Sequence, residues 1–198
     1  ENIELGSIKV DEYQVFEKDD IKIGLVGYMG FNTSFVSDEK IKEDIKILRE
    51  KEKVDYIVAA MHWGGQGTHE VTWKQKEMGH KLVDLGVDLV YGNHPHVLQE
   101  VEIYEGKTIY YSLGNFLFTD YKSAKDPDSA MIKVTLIKDA DGNLKTTFTH
   151  TPILWSGHPS KNLFKPTVTT DDDLINRTLK KLNITTKEPI SFNEDEDS

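Results

Sequence analysis

Apolar runs and amphipathic stretches alternate along the first half of this chain. Continuous apolar runs, typical of strands covered on both faces, lie at residues 21–28, 54–61 and 87–91. Between them, apolar residues recur at helical spacing over 38–52 and over 72–85. This alternation predicts a parallel sheet whose strands are joined by helical crossovers.

Capping residues support both predicted helices. Ser37 or Asp38 is the expected N-cap of the first helix, because either side chain can accept a hydrogen bond from the first turn. Gly86 follows the second helix and is the expected stop signal, since glycine tolerates the left-handed conformation found after helix ends.

The remaining segments predict hairpins and one short helix. Residues 8–15 have partial strand character, and a hairpin across 17–20 would pair them with 21–28. Further hairpins are predicted at 101–113, around Glu105-Gly106, and at 130–154. Residues 139–143 resemble a calcium loop but lack its further carboxylates, so a plain turn is favoured. Thr170 is the expected N-cap of a final helix that ends near Leu182.

Composition narrows the class of protein. The 198 residues are 37% hydrophobic and 29% charged, as in a soluble globular domain. Cysteine is absent, which leaves His, Asp, Glu and Asn as the metal ligands available. The net charge of −10 and the lack of a basic cluster argue against nucleic-acid binding. No secretion signal or membrane-spanning apolar run occurs, and the acidic tail 187–198 is expected to be disordered.

Histidines follow two of the predicted parallel strands. His62 closes the run 54–61, and His94 and His96 flank Pro95 just after 87–91. The carboxyl ends of parallel strands gather ligands, and an extended His-Pro-His segment would place both imidazoles on one side. Two readings stay open for each site, a metal ligand or a hydrogen-bonded structural histidine, and the two sites together favour metal. Gly92 would let the backbone approach an ion closely.

Four polar or aromatic residues near these histidines are candidate substrate contacts. They are Trp63, Gln66, Asn93 and Asn115. For Trp63 the alternative is a packing role, and for the other three it is that of ordinary loop or turn residues. The remaining histidines are weaker candidates: His69 lies in the loop after His62, His80 is expected to be a packed or surface residue of its helix, and His150 and His158 receive no role.

Several ordered motifs follow one another along the chain: residues 62–64 (HWG), Gln75, residues 80–99 (HKLVDLGVDLVYGNHPHVLQ) and residues 111–118 (YSLGNFLF). Together they resemble the CapA/PgsA family of poly-γ-glutamate capsule biosynthesis proteins, which are similar to calcineurin-like metallophosphoesterases. The likeness covers roughly residues 8–155. It implies a metallophosphoesterase-like α/β sandwich of four layers, with two divalent ions at the sheet ends.

The resemblance also implies roles for particular residues. His62 matches the isolated ligand histidine of the family, and His94 and His96 match its paired histidines. Imidazoles together with carboxylates suit Mn, Fe or Zn. The family's amino-terminal motifs, which carry the carboxylate ligands, have no counterpart here. Gln66 also stands where the family usually has glutamate, and an amide cannot act as a base.

The resemblance divides the chain into three parts. Residues 1–118 are expected to form the carboxyl-terminal part of the CapA-like domain, 119–186 a β-rich extension of it, and 187–198 the acidic tail. The site would then need the amino-terminal half of the same protein, or a second chain, as its partner.

The main functional hypothesis is a capsule biosynthesis protein that acts as a metal-dependent phosphoesterase-like hydrolase once its site is completed. Its substrate would be an anionic polymer or a phosphate-bearing molecule. The alternative is a non-catalytic accessory or scaffold subunit of a membrane polymer synthase. Either protein is expected to be extracytoplasmic and attached to the membrane through a segment outside these residues.

Overall fold

The computed structural model of the protein describes residues 13–31, 34–118, 126–185 and 190–192. Its helices and strands follow one another along the chain in this order: β1 (Tyr13–Lys18), β2 (Ile21–Phe31), β3 (Ser34–Phe35), α1 (Asp38–Lys46, continued by a π-helical turn at Ile47–Lys51), β4 (Tyr56–Trp63), α2 (Trp73–Asp84), β5 (Leu89–Asn93), β6 (Val101–Tyr104), β7 (Lys107–Tyr110), β8 (Asp128–Lys138), β9 (Leu144–Leu154), β10 (Thr167–Val168), α3 (Asp172–Lys181) and β11 (Ile190–Phe192).

The first sheet has the strand order β1-β2-β4-β5-β7-β6, with β3 paired to β2. Strands β2, β4, β5 and β7 are parallel to one another, while β1 and β6 are antiparallel edge strands. The helices α1 and α2 connect β2 to β4 and β4 to β5. The predicted parallel sheet with helical crossovers is therefore confirmed.

Helices cover one face of this sheet and a second sheet covers the other. On the first face, Leu48 of α1 and Leu82 of α2 pack against Ile57 and Val90 in one buried cluster. On the opposite face, Leu25, Val58 and Tyr110 form a buried cluster with Phe148 of β9. The second sheet consists of the β8–β9 hairpin with β10 and β11 beside β9. The described residues thus form an α/β sandwich, as expected.

The last helix joins the two sheets at one end. Leu179 and Leu182 pack with Leu98 and Ala130, and the Val101 N–H of β6 donates a hydrogen bond to the Leu182 carbonyl at 3.0 Å. Asp128 of β8, which is fully buried, forms ion pairs with Arg177 and Lys181. These contacts hold α3 against β8 and the edge strand β6.

Capping follows the expected chemistry, with one correction. Ser37 is the cap of α1, since its hydroxyl accepts from the Lys40 N–H, and Gly86 has a positive φ of 103° after α2. The cap of α3 is Asp171 and not Thr170. The Asp171 carboxylate accepts from two backbone N–H groups, those of Asp173 and Leu174, and carries a charge that suits the helix N-terminus.

One short segment of the acidic tail, which was expected to be disordered, forms a strand. Residues 190–192 pair antiparallel with 146–148 of β9, where the edge of that strand offers backbone hydrogen bonds. The rest of the expected disordered tail lies outside the described residues, as do residues 8–12 of the first predicted strand. Among the described helices, none is long and apolar enough to cross a membrane.

Candidate metal centre

The three candidate histidines lie at the carboxyl ends of adjacent parallel strands. His62 is the second-last residue of β4, and it is in register with Met29 of β2 on one side and Asn93 of β5 on the other. His94 follows the last residue of β5 directly. The sheet therefore brings the isolated histidine and the His-Pro-His segment to the same edge, as the sequence predicted.

Their imidazole rings are neighbours. The ring centroids of His62 and His94 are 4.8 Å apart, and those of His94 and His96 are 6.0 Å apart. Across residues 13–31, 34–118, 126–185 and 190–192, however, no three His, Asp or Glu side chains form a group that could hold a metal ion. Imidazole nitrogens suit Zn, Mn or Fe, so the donor type fits such an ion while the ligand set of the described residues is incomplete.

The protein environment favours the neutral form of two of these rings. Partial burial, followed by the charge of His96, lowers the pKa of His62 below its usual value. Partial burial, followed by the charges of His62 and His96, lowers the pKa of His94. A neutral imidazole has the lone pair that a metal ligand needs, so this environment suits ligation at neutral pH.

The His-Pro-His segment is not extended, and this part of the prediction is wrong. His94 has a φ of 100° and His96 a φ of 61°, both in the left-handed region that non-glycine residues rarely adopt. Such conformations cost about 1–3 kcal/mol each and persist only where neighbouring structure imposes them. The two rings are therefore brought together by a bent backbone.

Two neighbouring segments hold this bend. The Gly67 N–H, in the loop after β4, donates a hydrogen bond to the carbonyl of the buried Pro95 at 2.8 Å. The side chain of Asn115 meets both the ring and the carbonyl of His96, and the Phe118 ring lies 4.6 Å from the His96 ring. The loop of His62 and the segment after β7 thus fix the paired histidines.

Trp63 and Gly92 belong to the core beneath the site. Trp63 is fully buried, and its indole Nε1 donates a hydrogen bond to the Tyr111 carbonyl at 2.8 Å. A Cβ atom on Gly92 would lie 2.1 Å from that carbonyl and 2.2 Å from the indole nitrogen. Gly92 therefore admits the tryptophan and the neighbouring backbone, which corrects the expectation that it admits an ion.

The other three candidate substrate contacts differ in how exposed they are around the three histidines. Gln66 is exposed in the loop after β4, and Asn93 is half-buried beside His62 at the end of β5. Asn115 is buried next to His96. The structure therefore places Gln66 and Asn93 where a bound molecule can reach them, whereas Asn115 lies behind a histidine.

Two buried glutamines shape the loop between β4 and α2; both lie in the family-like motifs, but the sequence assigned them no role. The Gln75 amide donates to the Gln99 side chain at 2.8 Å, and the Gln99 amide donates to the carbonyls of Thr68 and Glu70 at 3.0 Å each. Gln75 also closes a capping box with Thr72. The capping pattern after Thr72 was a signal for Gln75, but nothing local marked Gln99.

The remaining described histidines have other contacts. His69 lies 2.8 Å from the Leu98 carbonyl through Nδ1 and 3.2 Å from Asp126 through Nε2. His80 pairs with Glu102 and stacks on Tyr104, which confirms its packing role. His69 therefore connects the loop between β4 and α2 to the segment before β8.

The sequence of this chain is similar to those of known capsule synthesis proteins. Residues 9–120 match the family model described as Bacterial capsule synthesis protein PGA_cap. The chain is 36% identical over 97 residues to the PGA biosynthesis protein CapA of Bacillus subtilis, a match that covers 49% of this chain and 25% of that protein. It is 37% identical over 86 residues to the capsule biosynthesis protein CapA of Bacillus anthracis, covering 43% of this chain and 21% of that protein.

Two further similarities are more distant. A Mycobacterium tuberculosis protein named "Probable polyglutamine synthesis accessory protein" is 30% identical over 104 residues, covering 50% of this chain and 27% of that protein. The crystal structure of a hypothetical protein from Thermus thermophilus is 17% identical, with a TM-score of 0.45, over 79% of this chain and 61% of that one.

The matched stretch spans about a quarter of the length of these curated relatives. The family model, in contrast, covers more than half of this chain and includes all three histidines. The chain belongs to the bacterial capsule synthesis protein family PGA_cap.

Proposed function

We propose that this chain supplies the histidine side of a divalent-metal centre in a protein of poly-γ-glutamate capsule biosynthesis. The observation that carries the proposal is the meeting of His62, His94 and His96 at the ends of two adjacent parallel strands. Family membership supplies the biological setting, because the relatives from two Bacillus species are named for PGA or capsule biosynthesis.

The three imidazoles would hold the ion, and Mn, Fe or Zn fits their chemistry best. When bound in a two-ion site, such metals lower the pKa of a bound water and stabilise negative charge on a phosphoryl group. This chain's own contribution is to keep the His62 and His94 rings neutral and to fix the bend of the His-Pro-His segment. Gln66 and Asn93 would hydrogen-bond a bound molecule, and the exposure of Gln66 and the partial exposure of Asn93 support this.

The remaining ligands would come from a further segment of the same protein or from a second chain. The described residues around the three histidines contribute no carboxylate to a metal-holding group. The substrate would be an anionic polymer or a phosphate-bearing molecule. By its family the protein would act outside the cytoplasm, attached to the membrane through a segment outside these residues.

A second candidate function is that of a non-catalytic accessory subunit of a polymer synthase. The amide of Gln66 favours it, because an amide cannot take up a proton as a carboxylate does. In that case the histidines would bind either a structural metal ion or a partner protein, and no substrate would be turned over.

Hydrolysis of bis(4-nitrophenyl) phosphate by the metal-loaded full-length protein, together with any partner chain that supplies the remaining ligands, separates the two candidates. For a hydrolase we expect turnover that depends on added Mn or Zn and is lost in His62→Ala, while His158→Ala, which alters a histidine outside the site, stays as active as the unaltered protein. Turnover that persists in His62→Ala would refute the hydrolase. Metal binding without turnover would instead support the accessory function.

A further inference from the structure

We infer that Asn115 is a positioning residue that sets the tautomer of His96 and thereby presents its Nε2 to the metal centre. The Asn115 Oδ1 lies 2.7 Å from the His96 Nδ1, and the Asn115 Nδ2 lies 3.4 Å from the His96 carbonyl oxygen. The expected effect of Asn115 on metal affinity rests on the proposed function, whereas the assignment of the His96 tautomer does not.

The orientation of the amide follows from the backbone group it meets. The His96 carbonyl oxygen can only accept a hydrogen bond, so the NH₂ end of Asn115 must face it. The oxygen end of the amide then faces the imidazole, and an amide oxygen can only accept. The His96 Nδ1 must therefore be the protonated nitrogen of the neutral ring.

This hydrogen bond leaves one coordination-competent nitrogen on His96. With Nδ1 protonated, the lone pair of the neutral imidazole is on Nε2, which makes no contact with Asn115. Histidine ligands in metal proteins usually donate their other ring N–H to an oxygen in this way, which fixes tautomer and ring orientation. Asn115 provides that oxygen from the segment after β7.

Asn115 also supports the strained backbone of the same residue. His96 has a φ of 61°, and the Asn115 amide holds its carbonyl while the Phe118 ring packs 4.6 Å from its imidazole. The asparagine is only 7% exposed, so solvent does not compete strongly for either hydrogen bond. One side chain therefore fixes both the ring and the main chain of His96.

Both ends of the amide are engaged by His96, which argues against direct substrate contact by Asn115. The sequence made it a candidate substrate residue, together with Asn93 and Gln66. Its effect on a bound molecule would instead pass through His96. The prediction for Asn115 thus changes from contact to positioning.

Side-chain ¹⁵N NMR of the metal-free protein tests the tautomer directly. We expect His96 to carry its proton on Nδ1 in the unaltered protein and in Asn115→Asp, which keeps an acceptor oxygen. In Asn115→Ala we expect the proton to move largely to Nε2, the form that free neutral imidazole side chains prefer in water. Asn143→Ala is the matched control, because it removes another asparagine side-chain hydrogen bond, to the Asp139 carboxylate at 3.2 Å in the turn between β8 and β9.

Calorimetric Zn²⁺ titration of the same proteins adds a second readout. We expect Asn115→Ala to weaken Zn²⁺ binding about 10–100-fold, as loss of an outer-shell partner typically does. Asn115→Asp should restore most of the affinity, and Asn143→Ala should not change it.

An Nε2-protonated His96 in the unaltered protein would overturn the inference, whether or not the alanine variant folds. An unchanged tautomer in a folded Asn115→Ala would overturn it as well. If the tautomer moves as expected but the unaltered protein binds no Zn²⁺, the positioning by Asn115 stands and the proposed metal centre fails.

Discussion

The indole nitrogen of Trp63 donates a hydrogen bond to the carbonyl oxygen of Tyr111 at 2.8 Å, across the backbone of Gly92. This contact connects β4, β5 and the segment after β7 directly below the three histidines. Each of these segments carries one of the family-like motifs: His62-Trp63-Gly64, Gly92-Asn93-His94-Pro95-His96 and Tyr111-Ser112-Leu113-Gly114-Asn115. The motifs are therefore joined in the core as well as at the site.

Gly92→Ala should destabilise the fold by about 3 kcal/mol, because the new methyl group displaces the Trp63 indole and breaks a buried hydrogen bond. Urea unfolding measures this loss. Gly106→Ala is the control: its φ is 70° and a Cβ there meets nothing within 4 Å, so only the left-handed backbone cost of about 1–2 kcal/mol is expected. Equal losses in the two variants would contradict the packing described for Gly92.

Gln99→Leu should release the loop after His62. Gln99 is fully buried, and leucine would leave the Gln75 amide and the carbonyls of Thr68 and Glu70 without their partner, at a cost of about 2–3 kcal/mol. Amide hydrogen exchange should become faster at Gly67, whose N–H is bonded to Pro95. Gln14→Leu on the edge strand β1 should leave that exchange rate unchanged, and an unaltered rate in Gln99→Leu would refute the role of the glutamine.

Stability should fall as the pH drops below the ordinary histidine pKa of 6.5, and His150 should account for part of this loss. Burial lowers the pKa of His150, and the Tyr110 hydroxyl oxygen lies within hydrogen-bond distance of its Nε2, at 2.8 Å. The unfolded chain therefore binds a proton at higher pH than the folded chain does. The stabilisation is complete above 6.5 and is lost as the pH falls towards the folded-state pKa.

The measurement is the free energy of unfolding as a function of pH for the unaltered protein and for His150→Gln. The variant should show a shallower loss of stability in the acidic range than the unaltered protein does. His62 and His94 also have lowered pKa values and contribute in the same direction, so the comparison with the variant isolates His150. A curve for His150→Gln that coincides with the unaltered one would contradict this account.

The helices, the parallel strands and the hairpins were predictable because their signals are local. The spacing of Ile41, Ile45 and Leu48 already describes one face of α1, and Gly86 marks the end of α2 from sequence alone. The meeting of His62 with His94 was predictable for the same reason, since parallel strands joined by a helix place their carboxyl ends at one edge.

The details of the site were not predictable, because they depend on contacts between distant residues. The residue before a proline normally adopts an extended conformation, yet His94 has a φ of 100° within a bend held by Gly67 and Asn115. Gly92 is required by an indole from another strand, and no local pattern shows that requirement. Gln99 is likewise buried only because its partners come from the loop after β4.

Equilibrium dialysis of the full-length protein, together with any partner chain that supplies the remaining ligands, against Zn²⁺ or Mn²⁺ at neutral pH tests the central claim most directly. Elemental analysis should show that this protein retains a divalent ion, that the His94→Ala/His96→Ala double variant loses it, and that His158→Ala keeps it. A complete protein that retains no ion, or a double variant that binds as much as the unaltered protein, would contradict the assignment of these histidines to a metal centre.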